Sequence, residues 1–140
     1  PDNAATRRSI FVNNDLLYTN YDGRDVLALV AQNNITTGLI SDNNLEIDGA
    51  LIAQNGRIGR HYYRAPTNGP GTNNCGTNVY RNSILLYGML GTNQRYGFAY
   101  TDGTGYDTRT ITYDTNLLYA PPPNFPLASD KYQIILWEEI

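Results

Sequence analysis

Cysteine, histidine, methionine and lysine each occur once in this chain of 140 residues. The lone thiol, Cys75, excludes an internal disulfide, and its setting in Asn73-Asn74-Cys75-Gly76 offers no metal-ligand spacing. It reads as an incidental loop residue, with intermolecular pairing or a reactive thiol as the alternatives. The single histidine, in His61-Tyr62-Tyr63-Arg64, has no Ser or Cys partner in a recognisable nucleophile phrase, so it reads as a surface residue at a loop base. Long hydrophobic runs are also missing, which gives no membrane span, and no signal-peptide pattern stands at the start. The chain begins with Pro1 rather than Met, as expected of a processed product or a piece of a longer protein. Only 16% of residues are charged and the formal net charge is -3, so there is no basic field to track phosphates, and DNA and RNA are poor partners. The Ala/Glu/Lys/Leu mixture that covers exposed helices is nearly absent, which predicts very little helix.

What is abundant is Asn, Thr, Gly and Tyr together with Ile, Leu and Val, a composition suited to strands and turns. The strongest internal signal is a repeated phrase. Leu27-Ala28-Leu29-Val30-Ala31-Gln32-Asn33 returns as Gly49-Ala50-Leu51-Ile52-Ala53-Gln54-Asn55, with Ala31 and Ala53 as equivalent positions. A looser copy reads Ile10-Phe11-Val12-Asn13-Asn14, aligned by its Val12-Asn13-Asn14 with Ala31-Gln32-Asn33. A fourth copy reads Ser83-Ile84-Leu85-Leu86-Tyr87-Gly88-Met89-Leu90-Gly91. A period near twenty residues with a strand and a turn per unit is the mark of stacked rungs that bury their apolar rows against one another. Asn after each strand tolerates left-handed corners and can form amide ladders between coils. The expected fold is therefore all-β, a short right-handed parallel β-helix (β-solenoid) with a long inserted loop and a C-terminal proline-rich arm and cap.

As one domain over 1–140, this reading gives regular rungs over 1–58, an inserted loop over 59–82, weaker rungs over 83–113, and a proline arm and capping tail over 114–140. The loop is marked by Pro66, Gly69, Pro70, Gly71 and Gly76, and a loop of that length draws attention as a binding surface. Pro121-Pro122-Pro123 forces extended backbone out of any ladder, and Tyr132-Gln133-Ile134-Ile135-Leu136-Trp137 is expected to run back and cap the stack.

The phrases Val26 to Ile35, Leu45 to Gly56 and Tyr113 to Leu118 with the proline run resemble the C-terminal regions of bacterial proteins described as hypothetical, pilus-assembly-associated or minor-pilin-like. The resemblance covers roughly 8–138. It implies a β-solenoid behind an N-terminal pilin-like anchor, and an extracellular or bacterial cell-surface setting.

Chemistry-bearing residues are sparse. Asp15, Asp22, Asp25, Asp42, Asp48, Asp102, Asp107 and Asp114 spread over apparent turns, where Asp bonds its own backbone. Asp102-Gly103-Thr104-Gly105-Tyr106-Asp107 lacks the ligand rhythm of a calcium loop, so no metal and no cofactor are expected. Tyrosines in or beside the loops, Tyr62, Tyr63, Tyr80, Tyr96, Tyr100 and Tyr106, are the candidate binding residues, because a Tyr ring offers flat apolar area and a hydroxyl at low entropy cost. Covering the flank of the stack is the plainer use of the same rings. The expected role is a non-catalytic structural or adhesive surface module. Its partners would be protein subunits, whether through self-association at an uncapped first rung or through pilus components, or surface glycans. The competing role is a carbohydrate-active enzyme, which requires two carboxylates and an Arg or Lys converging on one face.

Overall fold

A computed structural model describes residues 4–65, 75–123 and 125. The Ala-Gln-Asn repeat becomes a strand register: β2 (Ala28–Ala31) lies parallel to β4 (Asn44–Ala53), with Ala31 beside Ala53. β4 lies parallel to β6 (Tyr80–Thr92), which places Gly49 beside Gly88 and Leu51 beside Leu90, and β7 (Gly105–Tyr113) follows on β6. These four strands form one sheet in the order β2-β4-β6-β7. Between visits to it the chain adds β1 (Ile10–Phe11), β3 (Ile35–Thr37) and β5 (Ile58–Arg60) to a second, three-stranded parallel sheet.

The core lies where alternating side chains of β4 and β6 meet the short strands opposite. Leu45, Ile47, Leu51, Ile84 and Leu86 pack with Ile35, Ile58 and Phe98, all nearly fully buried. Each such aliphatic side chain contributes roughly 1.5–3 kcal/mol by leaving water. The corners between sheets are tied by amides: Asn55 Nδ2 donates to Gln32 O at 2.8 Å, and Asn93 Nδ2 donates to Asn55 O at 3.4 Å. Gly49 and Gly88 both adopt positive φ, 146° and 144°, and a Cβ on Gly88 would run into the Gly49 carbonyl. Paired glycines let the two long strands bend together at one level.

The expected β-helix is corrected by this topology. The residues form two parallel sheets, of three and four strands, rather than a closed solenoid. Closure fails because the short sheet stops at β5: the connection from β6 to β7 contributes only an isolated bridge, Gly97 to Gly59, where a fourth strand would stand. The looser first copy is also realigned. Val12 N–H donates to Thr36 O at 3.0 Å and Asn13 Oδ1 accepts from Gly38 N–H at 2.7 Å, so this phrase stacks on β3 and not on Ala31-Gln32-Asn33.

The stretch expected as a loop over 59–82 is narrower in fact. β5 continues to Arg60, a 3-10 turn spans Gly76–Val79, and β6, the longest strand among the described residues, starts at Tyr80. After β7 the chain makes a 3-10 turn over Thr115–Leu118, capped by Asp114, whose side chain accepts from Asn116 N–H. The tail expected to cap the stack, including Trp137, lies outside the described residues. Among the described residues no helix is long and apolar enough to cross a membrane.

Candidate functional site

β5 ends on Arg60, whose side chain is 1% exposed. Burying a guanidinium costs several kcal/mol unless its N–H groups find acceptors. Here Nη1 donates to Gly38 O at 2.8 Å and Ser41 Oγ at 2.7 Å, and Nη2 donates to Leu39 O at 3.2 Å and Asn78 O at 3.0 Å. Every one of these acceptors is a carbonyl or hydroxyl oxygen. The rings of Tyr63 and Tyr106 stand 5.1 and 5.5 Å from the guanidinium carbon and supply cation–π attraction. Tyr106 in turn shares a 2.8 Å bond with Ser41 Oγ and donates to Asp42 O. Burial lowers the proton affinity of Arg60, and the nearby charge of Arg81, which donates to the same Leu39 carbonyl, acts in the same direction.

Four of the six tyrosines singled out from the sequence gather around Arg60. Tyr63 and Tyr106 flank its guanidinium, and Tyr100 donates to its carbonyl at 2.6 Å. Tyr62 packs edge-on to Tyr100 at 5.0 Å and donates to Asp102 Oδ2 at 2.9 Å. Asp102 also accepts from the Thr104 hydroxyl and amide. The Thr104 bonds hold its carboxyl below the usual range, and the hydrogen bond to Asp102 raises the Tyr62 phenol. One expectation is corrected here: Tyr106 is fully buried and cannot offer a ring to a ligand. Tyr80 is exposed at the start of β6, and among the described residues its ring packs on no other ring.

Tyr96 lies on the surface, a little less exposed than Tyr62. It is 49% exposed and walls a surface cleft of about 420 Å³ with Tyr100, Arg95, Phe98, Thr101 and Arg109. Among the described residues, Arg95 and Arg109 and no Asp or Glu line this cleft. Its shape comes from the β6–β7 connection, which crosses the end of the three-stranded sheet at Gly97 and buries Phe98 as its anchor. Arg109 is steadied by donating to Tyr106 O and Asp107 O.

A second polar cluster was not foreseen from the sequence. Asp48 of β4 is 0% exposed, and its Oδ2 accepts Tyr18 N–H at 2.8 Å and the Tyr21 hydroxyl at 2.7 Å. Asp114, 1% exposed, accepts the Tyr87 hydroxyl at 3.2 Å and Asn116 N–H at 3.0 Å. The rings of Tyr18, Tyr21 and Tyr87 pack on one another with centroids 5.3 to 6.3 Å apart. The hydrogen bond to Asp48 pushes the Tyr21 phenol up to about 12. Burial raises Tyr18 and Tyr87, and the charges of Asp114 and Asp48 add to it. The available signal was an Asp inside an alternating strand phrase, Leu45-Glu46-Ile47-Asp48, where Asp is disfavoured unless a partner waits.

The cluster pins two excursions of the chain onto the long sheet: the segment around Tyr18 to Leu27 and the turn after β7. Neither carboxylate reaches solvent, and among the described residues no Arg or Lys bonds to either, so the arrangement lacks the open acid, base and cation of a glycosidic site. Among the described residues no group of three or more His, Cys, Asp or Glu could hold a metal ion. No family description, curated protein or solved structure matches the chain.

Proposed function

We propose that this protein is a non-catalytic structural and adhesive module, a sheet scaffold that offers the Tyr96 cleft to an acidic glycan in the bacterial surface setting implied by the sequence resemblance. One observation carries the reading: Arg95, Tyr96, Tyr100 and Arg109 share an open cleft that, among the described residues, has no Asp or Glu in its lining. A Tyr ring stacks on the apolar face of a sugar, and a guanidinium takes a carboxylate or sulfate by two parallel hydrogen bonds. The rigid backing is the buried Arg60 group, which fixes Tyr100 through its hydroxyl.

The test is binding of uronic-acid and sulfated oligosaccharides to the full chain, followed by NMR shifts or calorimetry. Tyr96→Ala and Arg95→Ala should each weaken binding about tenfold while leaving thermal unfolding unchanged, a loss on the order of one charged hydrogen bond. Equal binding by both variants would remove the cleft from the proposal. Release of reducing ends from the polysaccharide would instead favour the enzyme reading.

A further inference from the structure

β6 is longer than the strand that covers it. β7 pairs with Tyr80 through Gly88, its last register partner being Tyr113, and then the chain leaves the sheet at Asp114. It turns toward Tyr21, whose carbonyl accepts from Asn116 Nδ2 at 3.4 Å. Met89 to Thr92 are therefore paired with β4 on one side, and among the described residues no strand pairs with them on the other.

Strand geometry fixes which groups face the open side. Asn93 N–H donates to Ala53 O, toward β4, whereas Gly88 O accepts from Asp114 N–H, on the β7 side. In a parallel strand the N–H and C=O of one residue point the same way and alternate along the chain. Leu90 and Thr92 thus direct their backbone groups to the open edge. That edge borders a groove of about 430 Å³, walled by Met89, Leu90, Thr92, Tyr96, Ile111 and Tyr113. Ile111 and Tyr113 are 45% and 47% exposed, although their strand partners Leu86 and Gly88 are buried. Tyr96 is shared with the cleft that holds Arg95 and Arg109, so the apolar groove opens onto positive charge.

An open parallel edge, an apolar wall and adjoining guanidinium groups together describe a receptor for peptide. We infer that Met89–Thr92 accepts an extended segment of a partner protein as an added strand, apolar at alternate positions and acidic just beyond. Main-chain bonds to Leu90 and Thr92 supply the pairing, Ile111 and Tyr113 receive one side chain, and Arg95 and Arg109 select the acidic end. A second copy of this chain is a poorer occupant. Its β2 has the right length, but the Leu16 segment that shares β4 with β2 would collide with β7 if β2 docked here.

The probe is a labelled synthetic peptide of alternating Ile and Thr ending in two Glu, titrated with the full chain by fluorescence anisotropy. Saturable binding is expected, weakened about tenfold when the Glu pair becomes Lys and abolished by N-methylation of alternate amides, since each tenfold step is about 1.4 kcal/mol. Ile111→Ser and Tyr113→Ser, at exposed positions, should each weaken the peptide about fivefold or more, and Ile111→Ser should leave glycan binding at the cleft intact. No binding, or equal binding of the N-methylated peptide, overturns the inference. So does tighter binding after Ile135→Ser with Trp137→Ser, which would assign the edge to the chain's own C-terminal run. The peptide variants keep the test decisive even if a protein variant fails to fold.

Discussion

Two regions of this molecule bury opposite charges, and they do so with the same residue type used in opposite ways. Around Arg60, tyrosines present ring faces to a cation while carbonyl and hydroxyl oxygens accept its hydrogen bonds. Around Asp48 and Asp114, tyrosines turn their hydroxyls inward and donate to anions. Neither region relies on a salt bridge among the described residues. A Tyr can serve both because its ring carries a negative face and its hydroxyl a strong donor. In a chain with few charges of either sign, this is how ionised groups enter the interior without an opposite charge beside them.

The sharpest way to break the comparison is to remove each charge in turn. Arg60→Ala should cost roughly 3–5 kcal/mol in urea unfolding, because it removes four buried hydrogen bonds and empties the space between Tyr63 and Tyr106. Asp48→Ala should cost about 2–3 kcal/mol through loss of two hydrogen bonds to a charged acceptor. Asp48→Asn keeps an oxygen for both donors and relieves the burial of a charge whose Oδ1 has no partner among the described residues, so its cost should stay below about 1 kcal/mol. If Asp48→Asn proves as damaging as Asp48→Ala, the anion itself and not its shape holds the Tyr18–Tyr21 segment, and the symmetry between the two regions fails.

The strand pairing around Ala31 and Ala53 was legible because the same apolar row must stack on itself, which forces repetition into the sequence. The later copy, Ser83 to Gly91, stacks too, and the structure sets its Gly88-Met89-Leu90 beside Gly49-Ala50-Leu51. The two-residue β1 was misaligned because Val12-Asn13-Asn14 looks like Ala31-Gln32-Asn33 to any pattern of apolar then Asn, and only hydrogen bonds to Thr36 and Gly38 separate the sheets. Closure was misjudged for a related reason: periodicity reports that strands stack, not whether each turn of chain supplies a strand to both sheets. Tyr62, Tyr63 and Tyr100 were visible as a group because they sit in loops that converge on β5. Asp48 and Asp114 were not, since their tyrosine partners lie 27 to 30 positions away and carry no motif.

A smaller effect separates the two regions by pH. The Tyr21 phenol is pushed up to about 12 in the folded chain, chiefly by its hydrogen bond to Asp48, from the 10.0 of an ordinary phenol. Between those values the unfolded chain has lost a proton that the folded chain keeps, so stability from this contact is complete below pH 10 and declines as pH rises toward 12. Phenolate absorbance should follow that displaced titration, and in Asp48→Asn the Tyr21 step should fall back toward 10. No such shift is expected from Arg60→Lys, which leaves the Asp48 cluster untouched.

The smallest effect sharpens the comparison at the surface, where a Tyr hydroxyl meets a carboxylate in water instead of in the interior. Tyr62 donates to Asp102 as Tyr21 does to Asp48, but Asp102 is exposed and already bonded to Thr104. Solvent can replace the Tyr62 hydroxyl at little cost, so Tyr62→Phe should leave unfolding within the scatter of surface substitutions. The ring contact with Tyr100 remains in the variant, and Tyr100 keeps its bond to the Arg60 carbonyl. A large loss in Tyr62→Phe would mean that the surface bond supports the Arg60 group itself, and the boundary between a buried charge site and its solvated rim would have to move outward to include Asp102.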